Sequence, residues 1–164
     1  MDEEKENLEM TQIEGIKNKY LTFLTESQSF AIPISYVVQI VGMQEITEIP
    51  EFPHYAKGII NLRGEIIPVI DIRLRLGRME REYDERTCII VINMSDHIVG
   101  LIVDEVDEVT EISRDVITPP PQIASSGGSY ITGVAKLNKR VVLLMDAGKL
   151  LGEEELAWFN QYES

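Results

Sequence analysis

The sequence lacks the cysteines for an internal disulfide bond and the long apolar run of a transmembrane helix. Cys88 is the single cysteine, so no internal disulfide is possible, which is usual in a reducing cytoplasm. No apolar run approaches the ~18 residues that a transmembrane helix needs. The first residues, MDEEKENLEM, are acidic and lack the apolar segment of a secretory signal peptide. We therefore expect a cytoplasmic protein without direct membrane insertion.

Positive charge is scarce. The 164 residues include 28 acidic and 15 basic side chains, which gives a formal net charge of −13. The acids concentrate at the ends: residues 1–15 contain six acids and one lysine, and residues 153–164 contain four acids and no base. Nucleic acids and anionic membranes both attract positive charge, so we expect neither as a partner. The composition of residues 1–15 predicts a disordered acidic tail.

Recognisable catalytic and metal-binding motifs are also missing. His54 and His97 are the only histidines and lack ligand spacing, and no G-x-S-x-G, H-E-x-x-H or P-loop motif occurs. We therefore expect no catalytic residue, no metal site and no cofactor. One alternative is a small β-barrel cation-dependent hydrolase that uses the acidic cluster at residues 104–108. That alternative requires a perturbed carboxylate pair and a deep polar pocket, whereas a solvated acidic face requires neither.

What the sequence does contain is a two-residue period of apolar side chains. Nine short runs rich in Ile and Val alternate with turn residues, which is the pattern of an all-β protein. The predicted strands are Lys19–Leu24, Ser29–Ile32, Glu45–Ile49, Gly58–Leu62, Glu65–Ile72, Thr87–Met94, His97–Asp104, Tyr130–Leu137 and Arg140–Asp146.

Helical signals are few. Ser35 is placed to cap a short helical turn that ends at Gly42. In such a turn Val37 and Ile40 would share one face. Residues 153–164 begin with acids and continue with spaced apolar side chains, which predicts a C-terminal amphipathic helix.

One spaced pattern occurs twice, 75 residues apart. It consists of a strand that begins at a glycine, a tight turn, a second apolar strand, an aspartate N-cap, one helical turn and a final glycine. The first copy covers residues 58–77 and the second covers residues 133–152, with Asp71 and Asp146 as the two caps. The repetition predicts two similar lobes, each with its own small β-barrel.

The turn of the first copy consists of Arg63 and Gly64. Gly64 supplies the positive φ that a two-residue hairpin turn needs. Arg63 must be exposed or paired, because a buried unpaired charge is costly. The second copy has Asn138 and Lys139 at these positions, so the hairpin can form without the arginine. Arg63 is therefore either a solvated turn residue or a recognition residue.

The segment KGIINLRGEIIPVIDIRLRLG, at residues 57–77, resembles the signature of the CheW family of bacterial chemotaxis adaptors. Three further segments resemble the first strand, the central hairpin and the closing segment of that family: KYLTFL, TCIIVINMSDHIVGLIVDEVDEV and YITGVAKLNKRVVLLMDAGKLL. The resemblance implies two five-stranded SH3-like barrel lobes that share a hydrophobic core, with short helical turns. The chain then divides into the tail at 1–15, a CheW-like domain at 16–152 and the C-terminal helix at 153–164.

The same resemblance implies a function. It predicts a non-catalytic adaptor that couples the tips of chemoreceptors (methyl-accepting chemotaxis proteins) to the CheA histidine kinase and supports kinase control in the signalling array. The implied partners are the regulatory domain of the kinase, the receptor tip and other CheW copies in rings. The protein would be recruited from the cytoplasm to membrane-associated receptor arrays. The partner-binding residues that match the family pattern are Val37, Ile40, Gly58, Asn61, Leu62, Arg63, Gly64 and Val109.

Overall fold

The computed structural model describes residues 16–94, 96–120 and 130–151, and its regular elements are mainly strands. The strands in these ranges are β1 Lys19–Thr25, β2 Gln28–Pro33, β3 Val37–Gly42, β4 Ala56–Leu62, β5 Glu65–Asp71, β6 Cys88–Met94, β7 His97–Val103, β8 Glu105–Glu111, β9 Ile117–Thr118, β10 Ile131–Leu137 and β11 Arg140–Met145. A short helix, α1, covers Ile72–Arg75, and 3-10 turns cover Ile34–Tyr36, Arg114–Val116 and Ala147–Lys149. The tail predicted at 1–15 and the helix predicted at 153–164 lie outside the described residues.

The strands form two sheets, and each sheet defines a lobe. The first lobe is the five-stranded sheet β3-β6-β7-β5-β4, and the second lobe is the six-stranded sheet β8-β1-β2-β11-β10-β9. The sixth strand of the second lobe, β9, has only two residues. The chain begins in the second lobe, runs through the first lobe and returns, so the link between β7 and β8 at Asp104 crosses from one lobe to the other. The predicted all-β, two-lobed fold is confirmed.

Buried apolar side chains form three clusters in the described part of the chain. One lies inside the first lobe and includes Ile60 and Ile67. A second lies inside the second lobe and includes Val142. The third cluster draws on both sheets, with Phe23 from β1 and Leu101 from β7 among its members. Each fully buried side chain of this size contributes about 1.5–3 kcal/mol, so the third cluster holds the two lobes together.

The repeated sequence pattern adopts the same backbone structure twice. The β4–β5 and β10–β11 hairpins both shift register just before their glycine, Gly58 in one and Gly133 in the other. The side chains of Asp71 and Asp146 each accept a hydrogen bond from the backbone N–H two residues later, at 2.9 Å. The duplicated hairpin and both predicted N-caps are therefore confirmed.

The helical turn predicted after Ser35 is wrong. A 3-10 turn covers Ile34–Tyr36 without a side-chain cap, and the following Val37–Gly42 segment is the edge strand β3. The segment is rich in β-branched residues, which favour strands, and its side chains alternate between half-buried and exposed. Val37 and Ile40 consequently do not share a face, since Val37 is half-buried and Ile40 is exposed.

Other strand assignments also differ from the sequence pattern, among them the two-residue strand β9. The run Glu45–Ile49 forms no strand, and only Thr47 pairs, through an isolated bridge to Ile59. In contrast, Glu105–Glu111 forms β8, which the sequence pattern does not predict because acidic residues have a low strand propensity. β8 pairs with β1 and lies at the edge of its sheet, where its acidic side chains can face water.

Candidate partner-binding site

The tip of the β4–β5 hairpin displays Arg63 to solvent. Both turn residues have positive φ, 54° at Arg63 and 89° at Gly64, as a type I′ turn requires. The side chain of Asn61 fixes the turn by accepting a hydrogen bond from the N–H of Gly64 at 2.8 Å. Arg63 forms no ion pair with any residue in the described ranges. The tip therefore presents an exposed cation in a defined backbone conformation.

The positive φ of Arg63 was not predicted, because the sequence analysis expected a positive φ only at Gly64. Positive φ is uncommon outside glycine, and asparagine adopts it more readily than most other residues. The second lobe has an asparagine at the equivalent position, and Asn138 has the same φ of 54°. Arginine is thus a poorer local choice for this turn than the residue that its own second copy uses. Backbone strain of this kind motivates a functional hypothesis for the residue that bears it.

Two other residues of the predicted set, Leu62 and Gly58, support the structure of the hairpin. Leu62 is half-buried and packs against the core cluster of the first lobe. Gly58 is buried with φ of +145°, and a Cβ atom there would lie 2.1 Å from the carbonyl oxygen of Thr47. We therefore interpret Gly58 as a residue that shapes the hairpin, since it presents no side chain and is not exposed.

The edge strand β3 contributes the apolar part of the candidate surface. Ile40 is 43% exposed, whereas Val37 is half-buried and packs against the cluster shared by the lobes. The outward face also contains Val38, which is 53% exposed, and the preceding Tyr36 is exposed as well. Reasoning from the sequence missed Val38 because a helical turn would have placed it on the other side. The run of β-branched residues in VVQIV, which favours a strand with alternating faces, was the signal that could have identified it.

The last residue of the predicted set, Val109, lies in the second lobe. It is 54% exposed on β8, the edge strand that pairs with β1. The hairpin tip and β3, in contrast, both belong to the first lobe, where Val41 of β3 and Leu62 of β4 pack against the same core cluster. The structure therefore places the predicted residues on two separate lobes.

Three of the four acids in the cluster that the hydrolase alternative invoked, Asp104, Asp107 and Glu108, are paired with arginines. Asp107 and Glu108 form ion pairs with Arg140, and Asp104 accepts two hydrogen bonds from Arg73. Burial by itself would raise the pKa of Asp104, but the hydrogen bond from Arg73 and its positive charge hold that pKa below its usual value. Among residues 16–94, 96–120 and 130–151, no group of His, Cys, Asp or Glu side chains could hold a metal ion. None of the helices in these ranges has the length and apolar character to cross a membrane.

Comparison with known proteins identifies the family. A family model described as a CheW-like domain matches residues 19–155. The chemotaxis protein CheW of Klebsiella aerogenes is 36% identical over 145 residues, which cover 88% of this chain and 87% of that protein. The chemotaxis protein CheW of Bacillus subtilis is 34% identical over 137 residues, which cover 83% of this chain and 88% of that protein. The crystal structure of the scaffolding protein TtCheW from Thermoanaerobacter tengcongensis matches with a TM-score of 0.77 and 33% identity, covering 84% of this chain and 94% of that one. The chain therefore belongs to the CheW-like family.

Proposed function

We propose that this protein couples the cytoplasmic tip of a chemoreceptor to the regulatory domain of the CheA histidine kinase, and that Arg63 is the centre of one docking surface. Family membership supports the general role, a non-catalytic chemotaxis scaffold. The observation that carries the specific proposal is an exposed guanidinium, without an ion pair to any described residue, at a hairpin tip whose backbone conformation disfavours arginine. The proposed location is the cytoplasm, with recruitment to membrane-associated receptor arrays.

The first lobe exposes residue types that occur in binding hot spots. Interface hot spots are enriched in Arg, Tyr and Trp and are surrounded by apolar contacts that exclude water. Here Arg63 lies on the same lobe as an exposed tyrosine and two exposed aliphatic residues, Tyr36, Val38 and Ile40. An edge strand such as β3 also offers unpaired backbone groups to a partner.

An adaptor needs two docking surfaces that can be occupied together. The second lobe offers Val109 on the edge strand β8, separate from the Arg63 surface in sequence and in sheet. We propose that the two lobes bind different partners, the kinase regulatory domain and the receptor tip. Other copies of the protein, arranged in rings, are a further partner that the same two-sided arrangement can accommodate.

Two substitutions at Arg63 test the proposal. Arg63→Asn inserts the residue that the second lobe already uses at this turn, and Arg63→Glu reverses the charge. We expect both variants to fold, and Arg63→Asn to be at least as stable as the parent, because asparagine tolerates positive φ. Each should bind at least one of the two partners about 30-fold more weakly, the effect of losing roughly 2 kcal/mol at a hot spot.

The measurement is titration calorimetry with the purified kinase regulatory domain and with a receptor-tip hairpin, separately and together. Arg114→Asn is the matched control, because Arg114 is exposed in the second lobe and forms no ion pair with any described residue. The control should bind both partners as the parent does. Unchanged affinity of both Arg63 variants for both partners would show that the hairpin tip is not a docking surface.

A further inference from the structure

We propose that Arg73 and Arg75 of α1 are positioning residues that set the orientation of the two lobes relative to each other. Both side chains leave the first lobe and contact groups of the second lobe. The functional consequence, that they also set the orientation of the two docking surfaces, rests on the proposed adaptor role. The structural part of the inference does not depend on it.

Arg75 contacts the rings of two tyrosines, one from each lobe. Its guanidinium carbon is 5.3 Å from the ring centroid of Tyr55 and 5.4 Å from that of Tyr130. Tyr55 immediately precedes β4 of the first lobe, and Tyr130 immediately precedes β10 of the second lobe. The same guanidinium donates from Nε to the backbone carbonyl of Leu150 at 2.6 Å. A planar cation that contacts one ring from each lobe, with a hydrogen bond at its edge, resists rotation of one lobe against the other.

Arg73 makes a second connection from the same helix. It is only 7% exposed, and its Nε and one terminal nitrogen donate to the two carboxylate oxygens of Asp104 at 2.8 and 2.5 Å. Asp104 lies at the point where the chain crosses between lobes. The other terminal nitrogen of Arg73 donates to Glu26, in the β1–β2 turn of the second lobe, at 3.1 Å. The backbone N–H of Glu26 also donates to Asp104, at 2.8 Å, so the three residues form a closed network.

The repeat shows that these arginines are not needed to build a lobe. Tyr55 and Tyr130 are 75 residues apart, and their carbonyl groups accept equivalent hydrogen bonds from the N–H groups of the two capping aspartates, at 2.8 and 2.7 Å. The residue equivalent to Arg75 in the second copy is Leu150, and the residue equivalent to Arg73 is Gly148. The second lobe thus forms the same cap and turn without either arginine. Arg73 and Arg75 therefore have no arginine counterpart in the second copy, and both contact the second lobe from α1.

The test measures the distance between the lobes. Cys88 is half-buried and is the single cysteine, so Cys88→Ala provides a background without thiols. Spin labels are then attached to new cysteines, Gln44→Cys in the first lobe and Lys139→Cys in the second, both at exposed positions. Double electron–electron resonance gives the distribution of label distances in the full chain. We expect Arg75→Met, which keeps the apolar stem, to broaden or shift this distribution relative to the parent.

A matched control and a second variant make the result decisive. Lys149→Met alters an exposed side chain in the equivalent turn of the second lobe and should leave the distance distribution unchanged. If Arg75→Met does not fold, Arg75→Lys is measured instead, because it keeps the charge and loses only the planar guanidinium. We expect Arg75→Lys to broaden the distance distribution as well. A parental distribution in the folded variant overturns the inference, whatever the partners of the protein are.

Binding measurements then test the functional consequence. Because Arg75 is half-buried, we expect Arg75→Met to keep its affinity for each partner alone within about 2-fold, and to lose about 10-fold in the affinity for the second partner once the first is bound. A loss of both separate affinities would overturn the positioning role. Failure of the Arg63 variants to weaken binding would count against the proposed function alone, since it leaves the distance result unaffected.

Discussion

Replacement of Gly58 by alanine should be among the more damaging single-methyl changes in the described part of this protein. The added Cβ would lie 2.1 Å from the carbonyl oxygen of Thr47 and 2.8 Å from its carbonyl carbon. Neither is a side-chain atom that can rotate away, so the segment around Thr47 must move. The φ of +145° at Gly58 is a second obstacle, because residues with a side chain rarely adopt it.

The size of the effect follows from what the movement breaks. Thr47 and Ile59 exchange two backbone hydrogen bonds, each 2.9 Å long, directly beside Gly58. Their loss costs about 1 kcal/mol each, and the strained φ adds about 1–3 kcal/mol. We therefore expect a loss of about 3–5 kcal/mol in the free energy of unfolding. For a chain of this size, that corresponds to a fall in Tm of about 10 °C or more.

Urea denaturation followed by circular dichroism measures this loss. Gly42→Ala is the matched control, because Gly42 also lies in a strand of the first lobe but has no atom within 4 Å of an added Cβ. The control should change the free energy of unfolding by no more than about 0.5 kcal/mol. Equal stability of the Gly58 and Gly42 variants would refute the argument that Gly58 is retained for backbone packing. The occurrence of Gly58 in the predicted partner-binding set would then need another explanation.

Two further predictions concern partly buried polar contacts. Burial would raise the pKa of Asp104, but Arg73 holds it below its usual value. The ionised carboxylate therefore stabilises the fold at pH values above its unfolded pKa of about 3.9. This stabilisation is lost as the pH falls through the lower pKa of the folded state. Thermal unfolding between pH 7 and pH 2.5 should therefore show a destabilisation by Asp104→Asn that shrinks below about pH 4; a difference that is constant with pH would contradict this. The hydroxyl of Tyr83 donates to the buried carboxylate of Asp71 at 2.8 Å, so Tyr83→Phe should cost about 1–3 kcal/mol in urea denaturation. Tyr36→Phe, at an exposed tyrosine, should cost almost nothing, and equal losses in the two variants would remove the argument.

Much of the fold could be predicted because the informative signals are local. The Asp71 cap needs only an aspartate whose side chain accepts a hydrogen bond from the backbone N–H two residues later. The β4–β5 hairpin needs only two apolar runs with a turn between them. The 75-residue repeat then carries the same expectation to the second lobe. Local signals of this kind are determined within a few residues of sequence, and for that reason they are readable without the structure.

The errors occurred where local signals are ambiguous. The segment after Ser35 fits both a capped helical turn and a strand, because Val37, Ile40 and Val41 have helical spacing while the β-branched run favours a strand. Pairing with β6 decides between them, and that partner lies about 50 residues away in the sequence. The acidic strand β8 was missed for the same reason, since its pairing with β1 is also long-range.

The side-chain contacts of Arg73 and Arg75 with the other lobe could not be predicted from the sequence. Arg73 meets Glu26 and Asp104, which are far from it in the chain, and Arg75 meets a tyrosine from each lobe. The sequence shows only two arginines on one short helix, a pattern that is typical of a solvated turn. Their burial and their partners depend on how the lobes pack together, which no spacing of residues encodes.

The two copies of the repeat provide a comparison within one chain that separates framework residues from the others. Positions that are identical in both copies mark a shared framework: a register shift precedes both Gly58 and Gly133, and Tyr55 and Tyr130 accept equivalent hydrogen bonds from the capping residues Asp71 and Asp146. Arg63 differs from its counterpart Asn138, although both turns have the same φ of 54° and asparagine suits it better. An arginine that opposes the local backbone preference, and that forms no ion pair within the described chain, gains nothing visible from its own lobe. Turn formation therefore does not account for Arg63, and recognition by a partner is the role that we propose for it.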